Sequence, residues 1–344
     1  MTASIAAPEP RWRGKATGWR HFGSNPSERT PILIQSNRRR QTTPQKVDAD
    51  QAMGNSPYER SVIGFRSDPR MCSFIEKNYL DEDLVQAVSR YMQSHEFSRI
   101  YSILQPYVLP SSRLLDLGSG RGLTSLALAE RGVRVISLEH DPSDVVGVGA
   151  LMKFKRLHEL PITALRGDVL QLPFHDNCLD VAFCRSLLHH LIDMNRGLRE
   201  IRRILKPGGL FLACNEHILS PFSNGRKFLN AHPTVAYGVD ERAYPAWIYW
   251  WKLYKAGFHQ IRFFGYPLEF SEFFQVIQQI PIRASLVTLP VLGRGFAHFL
   301  YAFHTVVRRY LLVPEHSLPA ISIVAQKPML HSTQIRRMHL SSDD

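Results

Sequence analysis

Three acidic residues of this 344-residue sequence each follow a short apolar run that a turn then interrupts. Asp116 precedes Gly118-Ser119-Gly120-Arg121-Gly122, Glu139 follows Val133–Leu138 and is succeeded by His140, and Asp168 stands in Gly167-Asp168-Val169. Glycines between a strand and a helix permit positive φ and let a ligand approach the backbone closely. The spacing is G-x-G-x-G, and a carboxylate directly before the turn would repel a pyrophosphate while attracting an ammonium. Glu139, seventeen positions after Gly122, can take both hydroxyls of a ribose, and Asp168 can accept from the exocyclic amine of adenine. The set fits a nucleoside linked to an amino acid better than a dinucleotide.

A second group stands where an acceptor would bind. His189 and His190 could touch a substrate or serve as a base, against the plainer role of packing and loop shape. Glu216 and His217 face the same edge, where loop hydrogen bonding is the alternative. Cys184 reads as a strand-end packing residue, and Arg185 as either an anion contact or a solvated edge charge. No His, Cys, Asp and Glu cluster has metal-ligand spacing, so no metal site is expected.

The elements that must hold these residues alternate. Strands are predicted over Arg113–Leu117, Val133–Leu138, Ile162–Leu165, Leu179–Cys184 and Leu210–Ala213, separated by helices over Leu123–Arg131, 143–158 and 195–205. The last of these helices stops at Lys206-Pro207-Gly208-Gly209. Further on come a helix over Ala243–Ala256 and strands over Gln260–Phe264 and Ile321–Ala325. Such alternation requires crossovers, hence a parallel sheet with helices on both faces. Helical spacing also runs from Phe74 to Tyr107. Between the last two strands, residues 267–319 carry two apolar stripes, around Phe270–Ile277 and Phe296–Val307, that read as a helical cap over the acceptor mouth.

Taken together, Leu114–Gly122, Val135–Asp141, Gly167-Asp168-Val169, Leu187-Leu188-His189-His190-Leu191 and Leu205-Lys206-Pro207-Gly208-Gly209 resemble class I S-adenosylmethionine-dependent methyltransferases. The similarity is to the small-molecule subgroup that includes the ubiquinone/menaquinone C-methyltransferases, and covers residues 110–216. It implies an α/β, doubly wound, seven-stranded, mostly parallel, Rossmann-like sheet of order 3-2-1-4-5-7-6 with the last strand antiparallel. It also implies S-adenosyl-L-methionine as cofactor, with Asp116, Gly118, Ser119 and Gly120 at the methionine end, Glu139 and His140 at the ribose, Asp168 and Val169 at the adenine, and Cys184 nearby. Glu139 replaces the commoner Asp. Strand four ends Cys184-Arg185-Ser186 without the Asn-Pro-Pro-aromatic motif of base and glutamine methyltransferases. The catalytic residue is left unknown, with His189, His190 and Glu216 as candidates.

Composition sets the remaining bounds. With 44% hydrophobic and 21% charged residues the chain is globular in type, so collagen-like, coiled-coil and wholly disordered classes are excluded. The net charge of +12 is concentrated at the start: residues 1–46 hold nine Lys or Arg against two acids, leaving +5 over the other 298. The expected organisation is a disordered basic extension over 1–56, N-terminal helices over 57–109, a methyltransferase domain over 110–328 with the cap at 267–319, and a flexible tail over 329–344. Whether 1–56 is a targeting segment or an over-extended start is left open. Four cysteines without CxxC spacing point to reduced thiols. The expected acceptor is small and apolar or lipid-like, with peripheral membrane contact through 267–319 and a cytoplasmic location. Nucleic acid is disfavoured as a partner and the oligomeric state is unassigned. The alternatives are an RNA or protein methyltransferase recruiting substrate through the basic tail, and a non-catalytic S-adenosylmethionine-binding regulatory protein.

Overall fold

The computed structural model of the chain describes residues 56–158, 160–219, 232–265 and 320–329. The basic extension up to residue 55, the cap expected at 267–319 and the tail from residue 330 lie outside the described residues.

The seven strands are β1 (Leu114–Leu117), β2 (Val135–Glu139), β3 (Ile162–Arg166), β4 (Leu179–Arg185), β5 (Leu205–His217), β6 (His259–Gly265) and β7 (Ala320–Gln326). They form one sheet of order β3-β2-β1-β4-β5-β7-β6, in which β7 alone runs antiparallel to its neighbours. The expected fold class is thus met. The order reverses between β1 and β4, and the crevice outside the carboxyl ends of such strands is where open α/β sheets receive ligands.

Alternation along each strand sends side chains to two layers. Leu115 and Leu117 pack with Ile136, Leu138 and the apolar stripe of α7 (Met194–Ile204), together with Tyr249 and Leu253 of α8 (Ala246–Lys255). Leu114, Val135, Val181 and Phe183 face the opposite layer, made by α3 (Leu84–Met92), α4 (His95–Leu104), α5 (Leu123–Glu130) and α6 (Val148–Leu157). Helix α5 is buried from Leu126 to Ala129 because α3 covers the side turned away from the sheet, which explains its nearly unbroken apolar sequence.

Two further helices, α1 (Pro57–Ser67) and α2 (Cys72–Asn78), precede α3. The sequence reading begins helical patterning at Phe74 and passes over α1, whose inward face is only Ser61, Val62 and Phe65. Ser56 anchors its start, accepting from the Glu59 amide at 3.1 Å while its hydroxyl donates to Asp141 Oδ2 at 2.6 Å. That bond fixes α1 to the loop after β2.

Two boundaries differ from expectation. Helix α6 begins at Val148 rather than 143, because Asp141 and Ser143 hold a side-chain-capped turn: Asp141 Oδ1 accepts from the Ser143 amide, and Ser143 Oγ from Val145 and Val146. Strand β5 begins at Leu205, not Leu210. Leu205 pairs with Leu179 before an irregularity, and Gly208, at φ +78°, exchanges backbone bonds through Gly208-to-Lys327 and Lys327-to-Gly209 contacts. Among the described residues no helix is long and apolar enough to cross a membrane. The four cysteines are unpaired.

Candidate active site

The turn after β1 folds back over the end of β2. Gly118, Gly120 and Gly122 have φ of +61°, +54° and +86°. The amides of Gly118 and Ser119 both donate to Leu138 O, and the Gly120 amide donates to Glu139 Oε2 at 2.8 Å. A Cβ at Gly118 would stand 2.6 Å from Leu187 Cδ1, so this glycine is required by both conformation and space.

Asp116 is 2% exposed and receives the Ser125 hydroxyl at 2.6 Å on Oδ2. Ser125 also lies 3.1 Å from Ser137 Oγ, and Ser137 donates to Ser119 at 2.7 Å, so a hydroxyl chain joins β1, α5, β2 and the turn. Burial pushes the Asp116 carboxyl up to about 7, with Ser125 opposing that rise and the Glu139 charge adding to it. A carboxylate in this state gains from a cation placed beside it. Sequence reasoning passed over Ser125 and Ser137, yet a lone hydroxyl inside an apolar helix or strand is a signal, because buried polar groups must find partners.

Glu139 is tightly held. Its Oε1 accepts from the His140 and Asp141 amides at 2.7 and 2.8 Å, while among the described residues Oε2 accepts only the Gly120 amide. With about two acceptor positions per oxygen, Oε2 keeps one for a ligand. Asp168 is exposed and accepts from the Leu170 amide at 2.8 Å, and Val169 beside it is buried.

Asp116, Gly118, Ser119, Gly120, Glu139, Asp168 and Val169 line one cavity of about 580 Å³, together with His140, His189, His190 and His217. Tyr58 and Val62 of α1, Phe74 of α2 and Leu80 supply its apolar wall. Arg121 ties that wall to the glycine turn by donating to the Tyr79 and Asp81 carbonyls, and its burial lowers the guanidinium to about 10.

Cys184 does not line the cavity. It is wholly buried in the α7 layer, where burial drives its thiol well up. Arg185 is no solvated edge charge, for its side chain is 16% exposed; it lines the cavity, reaches Glu96 with Nε to Oε1 at 2.7 Å and lies over the Tyr79 and Tyr91 rings. Glu96, on α4, was not legible as a site residue because the contact spans 89 positions.

Glu216 is no free base. Its Oε1 accepts the Leu187 and Leu188 amides, and its Oε2 accepts the His189 amide and lies 2.7 Å from His189 Nδ1. Burial raises this carboxyl, but its contact with the His189 ring and the hydrogen bonds it accepts outweigh burial and hold it below the ordinary range. Positive φ at Ser186 and Asn215, joined by an Asn215 Nδ2 to Ser186 Oγ bond of 2.7 Å, turns both chains so that Glu216 meets the loop after β4.

Around His189 the fold gathers His190, His217, His232 and Glu241. His189 stacks on His217 with ring centres 4.2 Å apart, and His190 follows at 4.3 Å. Burial lowers His190 and His232, and pushes His217 down to about 2 with help from the neighbouring rings. His232 and Glu241 come from a segment with no ligand-like spacing to the pair after β4, so linear spacing could not reveal the group.

Residues 115–213 match the methyltransferase-domain family. A demethylmenaquinone methyltransferase of Corynebacterium kroppenstedtii is 32% identical over 131 residues, covering 37% of this chain and 53% of that protein. Another, of Streptomyces avermitilis, is 35% identical over 106 residues, covering 30% and 42%. The crystal structure of the YcgJ protein from Bacillus subtilis is 20% identical, with a TM-score of 0.45 over 69% of this chain and 99% of that one. The chain spans about half the length of the curated relatives it matches. Asp116, Glu139, Asp168, His189 and His190 lie inside the matched residues, whereas Glu216, His217, His232 and Glu241 lie beyond their end.

Proposed function

We propose that this protein is an S-adenosylmethionine-dependent methyltransferase acting on a small, apolar or lipid-like acceptor. The observation that carries the reading is the junction of the glycine turn, buried Asp116 and Glu139 in one cavity that continues past His189 and His190. The family match over 115–213 supports it.

The residues fit the cofactor. Asp116 and the Gly118–Gly120 turn would take its cationic methionine end, where a positive charge relieves a buried carboxylate. Glu139 would take one ribose hydroxyl through the open position on Oε2, a narrower role than the two-hydroxyl contact expected from sequence. Asp168 and Val169 would hold the adenine edge. Bound there, S-adenosylmethionine supplies a methyl already activated by its sulfonium. The chain's own work is then to align the acceptor and exclude water, which can lower a barrier by about 7–11 kcal/mol in ideal cases. The apolar wall formed by Val62, Phe74 and Leu80 serves both ends.

The curated relatives' names, demethylmenaquinone methyltransferase, support a quinone-like acceptor for this chain. Formation of S-adenosylhomocysteine from S-adenosylmethionine in the presence of each member of a panel of hydroquinones, lipids, RNA and peptides tests the class. Turnover with hydroquinones or lipids that is lost in Glu139→Ala supports the proposal, and turnover confined to RNA or peptides overturns it.

A further inference from the structure

We propose that His189, His190 and Glu241 bind a divalent first-row transition-metal ion of the zinc or iron class in the wall of this cavity. The ligand atoms of the three side chains lie within 4.8 Å of one another. Glu241 Oε2 stands 3.8 Å from His189 Nε2 and 3.7 Å from His190 Nε2. An ion with bonds of about 2.0–2.1 Å in tetrahedral geometry holds its ligand atoms roughly 3.3 Å apart, so small side-chain shifts close the set.

Two observations separate this group from ordinary imidazole packing. His189 is 1% exposed and Glu241 6%, yet among the described residues His189 Nε2 and Glu241 Oε2 have no hydrogen-bond partner. Leaving such buried atoms unsatisfied costs about 1–3 kcal/mol each. They face each other at a separation too long for a hydrogen bond and suited to a shared ion.

The other ring nitrogens are already committed. His189 Nδ1 meets Glu216 Oε2 at 2.7 Å, and His190 Nδ1 meets the Asp240 carbonyl at 3.2 Å. A proton donated from Nδ1 leaves the lone pair on Nε2, the arrangement that outer carboxylates and carbonyls impose on metal-binding histidines. Glu241 is aimed in the same way, since its Oε1 accepts the Thr234 hydroxyl at 2.7 Å. All three residues line the cavity, so coordination positions left by the protein open into it.

Two imidazoles and one carboxylate suit zinc, iron or cobalt rather than magnesium or calcium. Binding of the ion rests on this ligand geometry alone. Its role, holding an oxygen of the acceptor beside the methyl donor, rests on the methyltransferase reading.

Full-length protein carrying no polyhistidine tag, stripped with chelator and titrated with Co²⁺ and then Zn²⁺, tests the site. The expected result is about one equivalent of Co²⁺ with a visible d–d band, displaced by Zn²⁺ and unmoved by excess Mg²⁺. His190→Ala and Glu241→Gln should each weaken Zn²⁺ binding about tenfold or more, while a cooperative melting transition and unchanged far-UV circular dichroism in both variants show that they are folded. Absence of a Co²⁺ band in the wild type, or equal Zn²⁺ affinity in wild type and both variants, overturns the proposal. Wild-type protein that takes the metal but not S-adenosylmethionine upholds the metal site and removes its methyltransferase role.

Discussion

The amide of Gly120 donates to Glu139 Oε2 at 2.8 Å, which makes the turn after β1 and the acid ending β2 a single unit. Because Oε1 already receives two amides, replacing the carboxylate disturbs both loops as well as the ribose contact. Glu139→Gln must turn an NH₂ toward one set of these amides. It is expected to lower stability by about 1–3 kcal/mol and to weaken S-adenosylmethionine binding, as read by thermal melting and calorimetry on the same preparation.

Asp116 gives a pH dependence with a defined sign. Its folded pKa of about 7 lies above the ordinary 3.8, so its contribution to stability is complete below about 4 and is lost as pH rises through 7. The full change is at most about 4 kcal/mol. Asp116→Asn keeps an oxygen for Ser125 and removes the charge. The ligand-free variant should therefore melt higher than wild type at pH 8, converge with it near pH 5, and fail to bind S-adenosylmethionine. A wild-type advantage at pH 8 would contradict this account of the buried carboxyl.

Gly118 and Gly132 separate conformation from space. Both have positive φ, but a Cβ at Gly132 meets nothing within 4 Å, whereas one at Gly118 strikes Leu187. Gly132→Ala should cost about 1–2 kcal/mol. Gly118→Ala should cost about 1–3 kcal/mol more and also reduce cofactor affinity, a difference that paired urea melts would read.

The Arg185 and Glu96 pair joins the end of β4 to α4, with side chains 16% and 4% exposed. Glu96→Ala removes the carboxylate from a largely buried guanidinium and should destabilise by about 3–5 kcal/mol. Glu96→Gln, which keeps a hydrogen-bonding oxygen, should fall between the two in chemical denaturation.

Much of this was legible in the sequence because the signals are local. Apolar runs punctuated by Gly132, Gly167 and Pro207-Gly208-Gly209 reveal the alternation, and acids at three strand ends mark the cavity rim. The contacts that complete the site are distant in sequence. Glu96 reaches Arg185 across 89 positions, and Glu241 meets His189 across a segment that periodicity does not order. Glu216 was readable as a polar residue just past the predicted end of strand five, but its engagement with three amides follows from the Ser186 and Asn215 turns. Strand β5 exceeded its predicted length because Leu205 pairs across an irregularity that Pro207 and the two glycines conceal.

Calorimetric titration of the full chain with S-adenosylmethionine, beside Asp116→Ala and Glu139→Ala, tests the central claim most directly. The account predicts one saturable site in the wild type, lost or severely weakened in both variants while their melting transitions persist. Absence of binding by folded wild-type protein, or equal affinity in all three, would contradict it.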